Sequence, residues 1–197
     1  MDKRTERPTR PVVRPARRPT TRIRNAEARA EQTLADFGVD TMPVPVERVA
    51  HHLGLQVERA ALGDDVSGIL VVQDGRGMIG VNASQAPNRQ RFSIAHEIGH
   101  FVLHKGAMPV FIDKQFFRPY LAVFRDANSS TGEDWREREA NAFAAALLMP
   151  AGMLGDAIRE MHLDVADDDA IEELAKRFKV SRQAMSFRVA NLSLHDA

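Results

Sequence analysis

The stretch Arg91-Phe92-Ser93-Ile94-Ala95-His96-Glu97-Ile98-Gly99-His100-Phe101-Val102-Leu103-His104 decides how this chain is read. Phe92, Ile94, Ala95, Ile98, Phe101, Val102 and Leu103 give it an apolar side, and a helix is expected over 88–104. Positions i and i+4 of a helix differ by about 40° around the axis, so the imidazoles of His96 and His100 leave one face, a turn apart. That spacing lets two ring nitrogens reach one metal ion at about 2.0–2.1 Å. Glu97 sits about 100° further round and can accept a proton from water at an open position of the metal. Two imidazoles and a carboxylate inside an apolar run need partners, because buried polar groups without them are costly.

Two histidines leave such an ion short of protein ligands, since catalytic sites usually have three. The chain has no cysteine, so the third must be His, Asp or Glu. It also has no thiol nucleophile and no disulfide. A second helix is expected over 133–149, started by Ser130-Thr131-Gly132-Glu133 in the S/T-x-x-E form and stopped by Pro150. Its apolar residues are spread almost all round, which predicts burial. It carries Glu133, Glu137 and Glu139, and a buried carboxylate on it would need a positive partner such as a dication. Periodicity does not choose among the three. His104 repeats the i+4 spacing beyond His100, but each turn advances about 5.4 Å, so three ligands from one straight helix cannot converge. A supporting role for His104 is expected instead.

The remaining segments frame these two helices. A helix is expected over 26–37, ended by Gly38, and a short one over 46–53 after Pro43 and Pro45. Leu55–Glu58, Val66–Val72 and Met78–Val81 read as strands, with a turn at Asp74-Gly75-Arg76-Gly77. About three mostly antiparallel strands are expected, and Gly106–Ser129 reads as a long Phe-rich connection. Two or three shorter helices fill 153–192.

The chain of 197 residues is formally neutral, with 27 basic and 27 acidic residues, which excludes a uniformly basic nucleic-acid binder. Neutrality hides an asymmetry. Residues 1–25 hold nine basic and two acidic groups, a net of +7, punctuated by Pro8, Pro11, Pro15 and Pro19. An extended, disordered tail is expected there. It lacks the apolar run of a secretory signal, and no run approaches the 18 apolar residues of a membrane span. The tail suits a loose, salt-sensitive tether to nucleic acid or another acidic surface, though charge runs usually have no specific partner.

The H-E-x-x-H arrangement is that of zinc peptidases. The stretch 91–104 resembles the signature of the ImmA/IrrE metallo-endopeptidases, as does Glu139-Ala140-Asn141-Ala142-Phe143-Ala144-Ala145-Ala146-Leu147-Leu148-Met149-Pro150. Pro43-Val44-Pro45-Val46, Ala50-His51-His52-Leu53-Gly54-Leu55, Ser67-Gly68 and Val81-Asn82 fit the same family, so the resemblance covers about residues 26–192. It implies an α+β, zincin-like fold. It implies His96, His100 and Glu139 as ligands of zinc, with Glu97 as general base. Manganese or another divalent ion also suits a His/His/Glu set. It further implies a cytoplasmic endopeptidase acting on a protein substrate, a helix-turn-helix repressor or another regulatory protein of mobile elements or stress responses. The expected division is the tail over 1–25, which lies outside the family pattern, the metallopeptidase domain over 26–152 and a helical extension over 153–197 packed on it.

A hydroxide equivalent attacking a peptide carbonyl needs a further donor for the oxyanion; Tyr120, His104 or an arginine are the candidates. An edge strand, with Val66–Val72 as the candidate, would bind substrate backbone by strand addition. Ile171 to Val189 reads as a helix-turn-helix, with Lys179 where many such turns carry glycine. Only Arg182, Gln183 and Arg188 suit groove reading. Residues 171–197 hold five basic and three acidic groups, a net of +2, which is thin for DNA. The alternative function is a DNA-binding transcriptional regulator, or an interaction module, with a vestigial metal site. Glu97 separates the readings, because a structural zinc site takes four protein ligands and needs no base.

Overall fold

A computed structural model describes residues 21–63, 66–73, 76–104, 110–114, 132–165 and 167–193. The first helix, α1 (Thr21–Asp36), begins five residues before the expected start at Ala26. The reason is Ile23, which is buried together with Ala26, Ala30 and Leu34 and extends the apolar stripe one turn backwards. Residues 1–20, the greater part of the expected tail, lie outside the described set. Helix α2 (Val46–His52) has seven residues, too few to be stable alone. Burial of Val46, Val49 and Ala50 at i, i+3 and i+4 holds it to the core.

The three expected strands are present as β1 (Leu55–Ala60), β2 (Val66–Gln73) and β3 (Arg76–Asn82). A fourth, β4 (Val110–Lys114), follows α3 (Pro87–His104), inside the segment read as an irregular connection. The sheet order is β1-β3-β2-β4. β2 pairs antiparallel with β3 and with β4, while β1 runs parallel to β3. So β2 is interior, not the edge strand expected for substrate addition; among the described residues β1 and β4 are the outer strands. Alternation gives the sheet two unlike faces: Leu70, Ile79 and Val81 are buried, while Val71 and Met78 stand opposite each other and exposed.

The buried face carries α3. Helix α4 (Gly132–Leu148) lies along α3 on one side and α1 on the other. Every residue from Ala142 to Leu148 is buried, as its all-round apolar sequence predicts. The contact with α3 is close because α4 offers alanine and α3 offers glycine. A Cβ on Gly99 would stand 3.1 Å from Ala140 Cα and 3.2 Å from Phe143 Cδ1. After Pro150, α5 (Ala151–Met161), α6 (Asp168–Phe178) and α7 (Arg182–Ser193) complete the described residues.

Asn82 locks the strand end beside the site. Its Nδ2 donates to the carbonyls of Gly63 and Val66 at 2.7 and 2.8 Å, and its Oδ1 accepts from the Ser84 amide at 3.1 Å. This fixes the start of β2, where Ser67 and Gly68 meet α3.

Candidate metal centre

His96 and His100 leave the buried face of α3 as their spacing requires, each only 2% exposed. Their Nε2 atoms lie 2.9 Å apart, with the rings nearly perpendicular. From α4, Glu137 brings Oε2 to 3.1 Å from His96 Nε2 and Oε1 to 3.3 Å from His100 Nε2. Among the described residues this is the group of three His, Asp or Glu side chains arranged to hold a metal ion. Glu137 retains 26% of its side-chain exposure, so the cluster opens on one side. A deeper carboxylate stands next in sequence to the rings. Glu97 is fully buried against β2, where a Cβ on Gly68 would lie 2.9 Å from its Oε1.

The position expected for the third ligand, Glu139, is occupied differently. Its side chain turns to Arg22 of α1, whose Nη1 donates at 3.4 Å, and to His104 Nε2 at 3.7 Å. The physical reason is helical phase: two residues on α4 amount to about 200°, so Glu137 and Glu139 cannot both aim at the His96–His100 pair. The structure thus corrects the resemblance-derived placement of Glu139 at the rings and puts Glu137 there. The side chain of Glu133, the third of the open candidates, lies outside the described residues. His104 stands aside from the cluster, its Nε2 3.3 Å from the Arg136 carbonyl, where it braces the turn of α4 that presents Glu137. Tyr120 lies outside the described residues.

The chemistry of the donors fits a divalent cation. A carboxylate offers two acceptors, and a neutral imidazole nitrogen either donates or accepts. Three such groups aimed at one another at 2.9–3.3 Å are short of hydrogens, and a cation completes them. The separations also approximate the edge of a tetrahedron with bonds of 2.0–2.1 Å, about 3.3 Å. Ionisation agrees. Burial pushes the His100 imidazolium down to about 4, which His96 reinforces and Glu137 partly offsets. Burial would raise the Glu137 carboxyl, but the facing rings, His100 first and then His96, hold it well below the usual carboxylate range. A neutral His100 ring with an ionised Glu137 carboxylate is the form in which these groups bind metal.

Asn141 was not singled out from the sequence. Its Oδ1 lies 3.0 Å from His96 Nδ1, on the far side of the ring from Glu137. The available signal was the i, i+4 spacing of Glu137 and Asn141, the same spacing that marks His96 and His100.

A model of the peptidase family Peptidase M78, described as the IrrE N-terminal-like domain, matches residues 50–190. The chain belongs to this family. That is the family to which residues 91–104 and 139–150 showed a resemblance. No curated protein matches the chain. Among solved structures, it is similar to one described as a Mycobacterium tuberculosis transcriptional regulator, with a TM-score of 0.57 and 20% identity. That likeness covers 86% of this chain and 47% of the other, so this M78-family chain spans about half the length of that protein. At this identity the likeness concerns the fold. Among the described residues no single helix is long and apolar enough to cross a membrane.

Proposed function

We propose that this M78-family chain is a zinc-dependent endopeptidase that cleaves a regulatory protein, with a helix-turn-helix repressor as the favoured substrate. The observation that carries the reading is the convergence of His96 Nε2, His100 Nε2 and the Glu137 carboxylate, with Glu97 beside them in sequence and fully buried. His96, His100 and Glu137 would hold the ion. When bound, zinc supplies Lewis-acid polarisation of a carbonyl and lowers the pKa of water toward about 7. Glu97 takes the proton of the attacking water on a carboxylate oxygen and later delivers it to the leaving amine nitrogen, so a peptide and water become a carboxylate and an amine. The partial exposure of Glu137 supports substrate entry from its side. The regulatory substrate is supported by the family resemblance and by the description of one similar structure as a transcriptional regulator. A cytoplasmic setting goes with that substrate.

The competing DNA-binding reading loses one of its three groove-readers. Arg188 is buried, its Nε donating to the Met149 carbonyl at 3.0 Å and its Nη1 to Glu27 at 2.5 Å. Arg182 remains exposed but pairs with Asp168 at 2.7 Å.

The test is cleavage of a mixed peptide library and of candidate repressors by zinc-loaded wild type and Glu97→Gln, read by mass spectrometry. Wild type is expected to cut. The variant is expected to keep one zinc per chain and to lose about 10²–10⁴-fold in rate. A variant that still cuts at the wild-type rate would remove Glu97 from its role. A zinc-loaded wild type that cuts nothing would contradict the peptidase reading.

A further inference from the structure

A neutral imidazole carries one N–H and one lone pair, and a metal takes the lone pair. Which nitrogen offers it depends on where the hydrogen is held. Around His96 the two nitrogens meet unlike neighbours. Nε2 faces Glu137 Oε2 at 3.1 Å and His100 Nε2 at 2.9 Å, while Nδ1 faces the amide oxygen of Asn141 at 3.0 Å. An amide oxygen accepts and does not donate, so Asn141 can hold the ring hydrogen on Nδ1, the tautomer that leaves the Nε2 lone pair for an ion between the rings and Glu137.

The placement is rigid. Asn141 stands one helical turn after Glu137 on α4, so both side chains reach the same ring from one helix. Between them Ala140 presses on α3 where Gly99 leaves no side chain, and Phe143 and Ala144 behind Asn141 are fully buried. Rotation of α4 that moved Asn141 off the ring would carry Glu137 with it.

We infer that Asn141 is a positioning residue for the metal: by accepting the His96 Nδ1–H it fixes the ring tautomer and orientation, and so presents the Nε2 lone pair to the ion. The inference rests on the metal reading of His96, His100 and Glu137 and extends it to a residue that touches no ion. Partners behind metal-bound histidines typically contribute about 10–100-fold in metal affinity. A side chain that merely packs between α3 and α4 would contribute by volume, and leucine would replace it.

The experiment compares wild type, Asn141→Leu and Asn141→Asp, stripped of metal and titrated with zinc against a chromophoric chelator at fixed pH. Leucine keeps the branched outline and the number of heavy atoms and removes the acceptor; aspartate keeps an acceptor oxygen. Expected are about 10–100-fold weaker zinc binding for Asn141→Leu and equal or tighter binding for Asn141→Asp. Zinc affinity unchanged in Asn141→Leu, or lost equally in both variants, would overturn the inference. The wild-type apoprotein gives a second reading that needs no variant to fold. Long-range proton–nitrogen NMR should show His96 with its hydrogen on Nδ1; a hydrogen on Nε2 would overturn the inference outright. A wild type that binds no zinc while its His96 tautomer is as described would instead strike the metal reading beneath it.

Discussion

A methyl group on Gly68 would stand 2.9 Å from Glu97 Oε1 and 3.4 Å from its Cγ, so β2 and the buried carboxylate share a space that only glycine leaves open. The crowded atoms belong to the end of a flexible side chain, which can swing away at small cost to folding but not to its own aim. Gly68→Ala is therefore expected to fold and to keep zinc, yet to cleave peptide about 10–100-fold more slowly, because a misplacement of about 1 Å has that effect on reacting groups. Steady-state kinetics on one cleaved peptide checks this, and an unchanged kcat would show that Glu97 does not act from this position. The local part of the site was legible. His96, Glu97 and His100 lie within five residues of one helix, so their relation follows from helical geometry alone. Glu137 was one of three open candidates, because choosing it requires the rotation of α4 about its axis against α3. The Gly99–Ala140 contact sets that rotation, and no local pattern states it. Gly68 belonged to the family resemblance, but its service to Glu97 depends on a strand crossing a helix.

Among the elements, the helices were legible from capping residues, stops and apolar spacing, and α3 and α4 fall within a residue of their expected ends. Strand β4 was not. Val110 to Ile112 is a short apolar run, and such runs give no decisive period. Its identity comes from pairing with β2, which precedes it by a whole helix. The turn between α6 and α7 shows the opposite case, where a sequence detail has a structural meaning. Lys179 caps α6 in the left-handed region at φ 53°, the conformation for which glycine is the usual choice. A side chain there costs roughly 1–2 kcal/mol, offset in part by the entropy glycine loses on folding. Lys179→Gly is expected to stabilise the protein by about 0.5–1 kcal/mol, a rise in Tm of about 1–4 °C. Thermal unfolding followed by circular dichroism would show it, and a lower Tm would mean the lysine side chain contributes more than its backbone costs.

Over the whole molecule, the ends of the described chain are tied together through one buried ion pair. Arg188 of α7 reaches Glu27 of α1 and the Met149 carbonyl at the end of α4, and Asn88 of α3 donates to the Val180 carbonyl at 3.0 Å. The sequence reading offered Arg188 as a groove-reading cation of a helix-turn-helix. Its burial follows from contacts 161 residues apart, which no spacing rule reaches. The helical pair at 168–193 is thereby part of the frame that holds α1, α3 and α4 in register. That frame matters to the site, since His96 and His100 come from one helix and Glu137 from another 41 residues beyond His96. The central claim is that these three side chains, and not Glu139, close around one divalent ion. Zinc content per chain, measured on purified wild type, Glu137→Ala and Glu139→Ala after dialysis against a weak chelator, tests it most directly. Wild type and Glu139→Ala should each retain about one zinc while Glu137→Ala retains almost none; zinc kept by Glu137→Ala, or lost from Glu139→Ala, would contradict it.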